Sequence, residues 1–82
     1  MKGQLIVAGR FNEIYFKTNT IMCYELGGHG ILKLWVPDYL LEKIKKEWYE
    51  DRYIYIINII PHGIGTYELT KYTKVRESEA TV

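Results

Sequence analysis

One stretch of this 82-residue chain has helical periodicity, and its position among strand-like segments restricts what the chain can fold into. After Pro37-Asp38, the apolar residues Leu40, Leu41, Ile44 and Trp48 recur at spacings of three and four, while Glu42, Lys43, Lys45, Lys46 and Glu47 take the other face. The pattern predicts an amphipathic helix that Asp38 can cap. Its lysines have Glu42 and Glu47 one turn away, so they read as a solvated face rather than a basic patch. Residues 4–16, 21–26, 31–36, 53–60 and 66–75 are rich in β-branched and aromatic residues and are bounded by turn signals, which predicts five strands. Gly9 marks an expected bulge or bend in the first strand, and the hydrophobic continuity of 53–60 suggests burial on both faces.

Three strands, one helix and two strands is the order of the OB-fold, a five-stranded barrel plugged at one end by the helix between strands three and four. Residues 1–76 are expected to form one such domain, with 77–82 as a flexible polar tail. Short motifs point the same way. "LIVAGRF" is similar to a first-strand pattern in which apolar residues lead to Gly-Arg, "GILKLWVP" resembles a third strand opened by Gly, and "TYELTKYTKV" is similar to the start of a last strand. On these stretches the chain resembles the OB-fold single-stranded nucleic-acid-binding domains of replication protein A and archaeal single-strand-binding proteins. It departs from them by holding Gly27 and Gly28 where an Asp often sits between strands two and three.

Composition narrows the function classes. A net charge of +1 gives no general attraction to nucleic acid or to an anionic membrane, so such binding needs a local patch. Cys23 is the sole cysteine and has only His29 and His62 beside it as further soft ligands, which excludes an internal disulfide and leaves a structural zinc site short of ligands. No metal or other cofactor is expected. The longest apolar run, 54–60, is interrupted by Asn58 and too short to span a bilayer as a helix, so the expectation is an intracellular, cytoplasmic protein without membrane association. Heavy use of Ile, Tyr, Lys and Glu is a bias found in proteins of hot environments. The glycine clusters "GGHG" and "HGIG" fit neither a P-loop nor a dinucleotide fingerprint, and no nucleophile–base spacing is recognisable. The protein is not expected to be an enzyme.

The turn between strands two and three decides which side chains face outward. Leu32, Leu34 and Val36 form the evident interior face of strand three, leaving Ile31, Lys33 and Trp35 outside. An odd loop, Gly28-His29-Gly30, places Leu26, Tyr24 and Met22 opposite Leu32, Leu34 and Val36 and pairs Glu25 with Lys33 outside. An even loop instead brings Glu25 inward, at a desolvation cost of several kcal/mol. The odd loop is therefore expected, with Ile21 and Cys23 near Trp35 on the outer face and Tyr24, Tyr53 and Tyr67 in or near the core.

An outward tryptophan at the middle of an OB sheet is placed to stack with a base. The resemblance implies a groove of Trp35, with Lys33 and Arg10 for phosphates, extended by Lys17, His62, Lys71, Tyr72 and Lys74. The expectation is a non-enzymatic module for single-stranded DNA or RNA with little sequence preference. The alternative is a protein-interaction module on the same face: a homodimer, a subunit of a replication or repair assembly, or a small inhibitor protein of viral or plasmid origin.

Overall fold

A computed structural model describes residues 4–28, 30–47 and 53–76 of the chain. His29, Trp48 and the proposed tail at 77–82 lie outside the described residues, so the readings made of them are not pursued. The elements are β1 (Leu5–Tyr15), a single 3-10 turn (Phe16–Thr18), β2 (Thr20–Glu25), β3 (Gly30–Trp35), α1 (Asp38–Glu47), β4 (Tyr53–Pro61) and β5 (Thr66–Arg76). They close a barrel in the order β1-β2-β3-β5-β4, with β4 returning to β1. This is the OB-fold arrangement, with all neighbours antiparallel except β3 and β5.

Gly9 is the corner at which β1 changes partners. Leu5 to Gly9 pair with β4, and Gly9 to Tyr15 pair with β2, so Gly9 lies opposite both Tyr55 and Glu25. The corner is tight: a Cβ on Gly9 would stand 2.5 Å from Cys23 Sγ and 2.8 Å from the Tyr24 carbonyl oxygen. Only glycine allows that approach. A bulge follows between Phe11 and Glu13.

The helix enters from a second fixed point. Asn19, in the left-handed region at φ 54°, accepts the Val36 amide through its carbonyl at 2.8 Å. Its side-chain amide donates to the Val36 carbonyl at 2.9 Å and to Asp38 Oδ1 at 2.6 Å. The Pro37 carbonyl accepts the amides of Leu40 and Leu41, so Pro37 takes the capping position and Asp38 the first turn, and the helix begins one residue earlier than the sequence suggests. Leu40, Leu41 and Ile44 then plug one end of the barrel, joining a core that contains Phe11, Ile21, Leu34, Val36, Tyr55, Ile57 and Leu69. Phe11 and Tyr55 stack with ring centroids 4.0 Å apart, and Tyr72 meets both rings edge-on.

Two expectations are corrected. Residues 53–60 are buried on both faces only at their start: Tyr55, Ile57 and Ile59 are inside, and on the opposite face Ile54 is buried while Ile56, Asn58 and Ile60 are half-buried. The β2–β3 loop is even, not odd, because Glu25 pairs with Gly30 and residues 26–29 lie between them. Ile21 and Cys23 therefore face inward opposite Leu34 and Leu32, Glu25 is buried, and Met22 and Tyr24 face outward. The small Cys23 side chain is what the Gly9 corner accommodates, and Glu25 enters the barrel at its far end from the helix.

Candidate functional site

The outward side chains of β1, β2 and β3 fall into rows fixed by strand register. Arg10 lies opposite Tyr24, which lies opposite Ile31. Met22 lies opposite Lys33, which neighbours Thr66 of β5; Thr20 lies opposite Trp35, which neighbours Glu68. Tyr24 and Ile31 are each 53 % exposed, and Lys33 is exposed between them and Trp35. Two aromatic rings, a branched aliphatic residue and two cations thus share one face.

Two loops flank this face at the Trp35 end. The β1–β2 turn carries Lys17, exposed, and is pinned there by the Asn19 contacts to Val36 and Asp38. The β4–β5 loop is closed by the His62 amide donating to the Thr66 carbonyl at 2.9 Å, with Gly63 and Gly65 at φ 83° and 74° making the reversal. It lays the His62 imidazole on the Trp35 indole, ring centroids 5.0 Å apart and planes 11° from parallel. His62 Nδ1 stands 3.8 Å from Glu68 Oε1. Trp35 is consequently half-buried, with one ring face taken by an imidazole from the loop.

The structure therefore brings together Arg10, Lys33, Trp35 and His62, with Lys17 at the edge, and leaves three expected residues elsewhere. Tyr72 points to the helix end, where its hydroxyl donates to Glu47 Oε1 at 2.9 Å and Lys43 Nζ lies 5.5 Å over its ring. Burial and the Glu47 carboxylate push the Tyr72 phenol upward from its ordinary pKa. Lys74 donates to the Glu47 carbonyl at 3.2 Å and covers the Tyr53 ring at 4.5 Å. Lys71, opposite Asn58, is exposed on the β4–β5 side. A bulge explains the split: Asn58 pairs with Lys71 and Ile59 with Leu69, so Thr70 is an extra residue, its hydroxyl donating to the Asn58 carbonyl at 3.0 Å. The bulge turns both Leu69 and Tyr72 inward.

Tyr24 is the residue that the sequence reading missed. The expectation of a core position followed from the odd loop, and the even loop reverses it. Tyr53 and Tyr67 are half-buried as expected. Cys23 is not on the outer face either; burial, with Glu25 nearby, pushes its thiol up to about 12, which keeps it protonated and inert.

Among the described residues there is no cluster of three or more His, Cys, Asp or Glu side chains that could hold a metal ion, and no helix is long and apolar enough to cross a membrane. No protein-family model, no curated protein and no solved structure matches the chain.

Proposed function

We propose that the outer face of β1, β2 and β3 binds single-stranded DNA or RNA with little sequence preference. The observation that carries the reading is the shared outward face of Tyr24, Ile31, Lys33 and Trp35, bounded by the Lys17 and His62 loops. This is the face on which OB-folds take oligonucleotides. Tyr24 offers an open ring for one base, and the Trp35–His62 pair forms the platform for the next. Lys33, Arg10 and Lys17 supply charge along the path. Among the described residues these three cations serve it, so affinity is modest and the slope of log K against log salt is about −2.

Oligothymidylate titrations at low salt, followed by tryptophan fluorescence, test the reading. Binding with quenching is expected, and the quenching is largely lost in Trp35→Phe, which leaves Trp48 as the reporter. Tyr24→Ala is expected to weaken binding by about 1 to 3 kcal/mol, roughly five- to 150-fold. Absence of binding at low salt refutes the proposal.

A second reading is a protein-interaction face. It is favoured by the exposure of Tyr24, Ile31, Leu26 and Ile6, 43 to 66 % each. Sedimentation separates the two: a dimer insensitive to salt and to oligonucleotide, and dissociated by Tyr24→Glu, supports the second.

A further inference from the structure

The barrel end away from the helix contains a cavity of about 430 Å³ lined by Leu5, Val7, Glu25, Leu32, Ile59 and Tyr67. These residues come from the start of β1, the end of β2, the start of β3, the end of β4 and the start of β5. The space exists because the strands separate there. β5 pairs with β3 only from Lys33 to Trp35, so Gly30 to Leu32 extend past the start of β5, and the first residues of β1 pair with β4 rather than β2. The volume lies in the range of small-ligand sites, ~300 to 1,000 Å³, and at ~30 Å³ for each water-sized group it holds about a dozen non-hydrogen atoms.

Its lining is chemically specific. Among the described residues, four aliphatic side chains and the Tyr67 ring surround one carboxylate, that of Glu25, which is 6 % exposed. Leu5, at 49 % exposure, sits at the mouth. Gly27 fits the carboxylate as well: a Cβ there would collide with Glu25 Oε2, so glycine leaves the carboxylate its present position.

We propose that this cavity binds a small apolar molecule bearing a primary ammonium group, its body against Leu5, Val7, Leu32 and Ile59 and its head on Glu25. A carboxylate accepts several hydrogen bonds at once, so an ammonium joins the contacts Glu25 already makes within the protein. In apolar surroundings the charge-assisted bond is stronger than one from a neutral hydroxyl, and a ligand carboxylate is repelled. The site is distinct from the outer face, because Glu25 and Tyr24 point to opposite sides of β2. It stands or falls independently of nucleic-acid binding.

The test is a methyl-resolved NMR titration of the full chain with phenethylammonium, 2-phenylethanol and 3-phenylpropanoate. The expected result is saturable shifts at the methyls of Leu5, Val7, Leu32 and Ile59, with the ammonium at least tenfold tighter than the alcohol and no saturation by the carboxylate. Glu25→Gln brings the ammonium down to the level of the alcohol. Gly27→Ala does the same by displacing the carboxylate while keeping its charge. Should Glu25→Gln fail to fold, the ranking on the unaltered chain and the Gly27→Ala result decide. Equal affinity for all three compounds, shifts confined to the outer face, or no saturable shifts with the ammonium overturn the proposal.

Discussion

The two ends of the barrel solve the problem of closure differently. At one end α1 drives Leu40, Leu41 and Ile44 between the strands, and Phe11, Tyr55 and Tyr72 interlock beneath them. At the other end the strands separate around a cavity, and Glu25 is held inside an otherwise apolar rim. Polar groups differ accordingly. Tyr55 Oη, at the helix end, is buried and has no hydrogen-bond partner among the described residues, whereas Glu25 sits beside space that a ligand or water can enter. The helix end stores the stability, and the open end has room for chemistry that packing does not consume.

Truncation gives the largest test of that contrast. Ile44 is 1 % exposed in the plug, and Ile44→Ala should cost about 3 kcal/mol through lost burial and a new void. Leu32 is half-buried beside space that already exists, so Leu32→Ala should cost about 1 kcal/mol, well below the plug substitution. Urea unfolding of the two variants reads the difference; equal costs would mean that the open end is as tightly packed as the plug.

An intermediate effect is expected from alkali. Burial, followed by the Glu47 carboxylate and Tyr53, pushes the Tyr55 phenol from 10.0 up to about 12, and Tyr72 is raised by burial and its bond to Glu47. These groups are acids that the fold keeps neutral. Their contribution is complete below the unfolded value near 10 and is lost as pH rises toward the folded value, with the buried Cys23 thiol adding to the loss from about 9. Urea midpoints should therefore hold steady to about pH 9 and fall steeply by pH 12. Tyr72→Phe should flatten part of that fall. A fall unchanged in Tyr72→Phe would move the alkaline sensitivity away from the helix end.

The sequence carried the order of elements because each depends on its own periodicity. Lys33 and Trp35 face outward as expected for the same reason: the alternation of Leu32, Leu34 and Val36 settles β3 without reference to its neighbours. β2 is different, since Ile21-Cys23-Glu25 and Met22-Tyr24-Leu26 are both plausible inner faces. Cross-strand facts choose between them. Gly9 fits closely against Cys23, and the unplugged end admits Glu25, neither of which is visible in β2 itself. Tyr72 and Lys74 were misplaced through the bulge at Thr70, which alternation cannot register. The His62–Trp35 stack depends on the parallel β3–β5 pairing, a long-range contact across the helix and β4 that local alternation does not report.

The smallest expected effect concerns the Tyr55 hydroxyl, which the plug traps. Tyr55 stacks on Phe11 at 4.0 Å, and its ring would pack equally well without the oxygen. The hydroxyl gives up its hydrogen bonds to water on folding and regains none among the described residues, a loss worth about 1 to 3 kcal/mol for a buried group. Removal leaves a small void that offsets part of the gain. Tyr55→Phe should therefore be neutral to about 1 kcal/mol more stable near pH 7, and its advantage should widen above pH 10, where the wild-type phenol must ionise as the chain unfolds. Thermal unfolding at pH 7 and pH 11 measures both quantities. A clear destabilisation at pH 7 would mean that the hydroxyl is satisfied within the plug, and the contrast between an unsatisfied closed end and an accessible open end would fail at its most specific point.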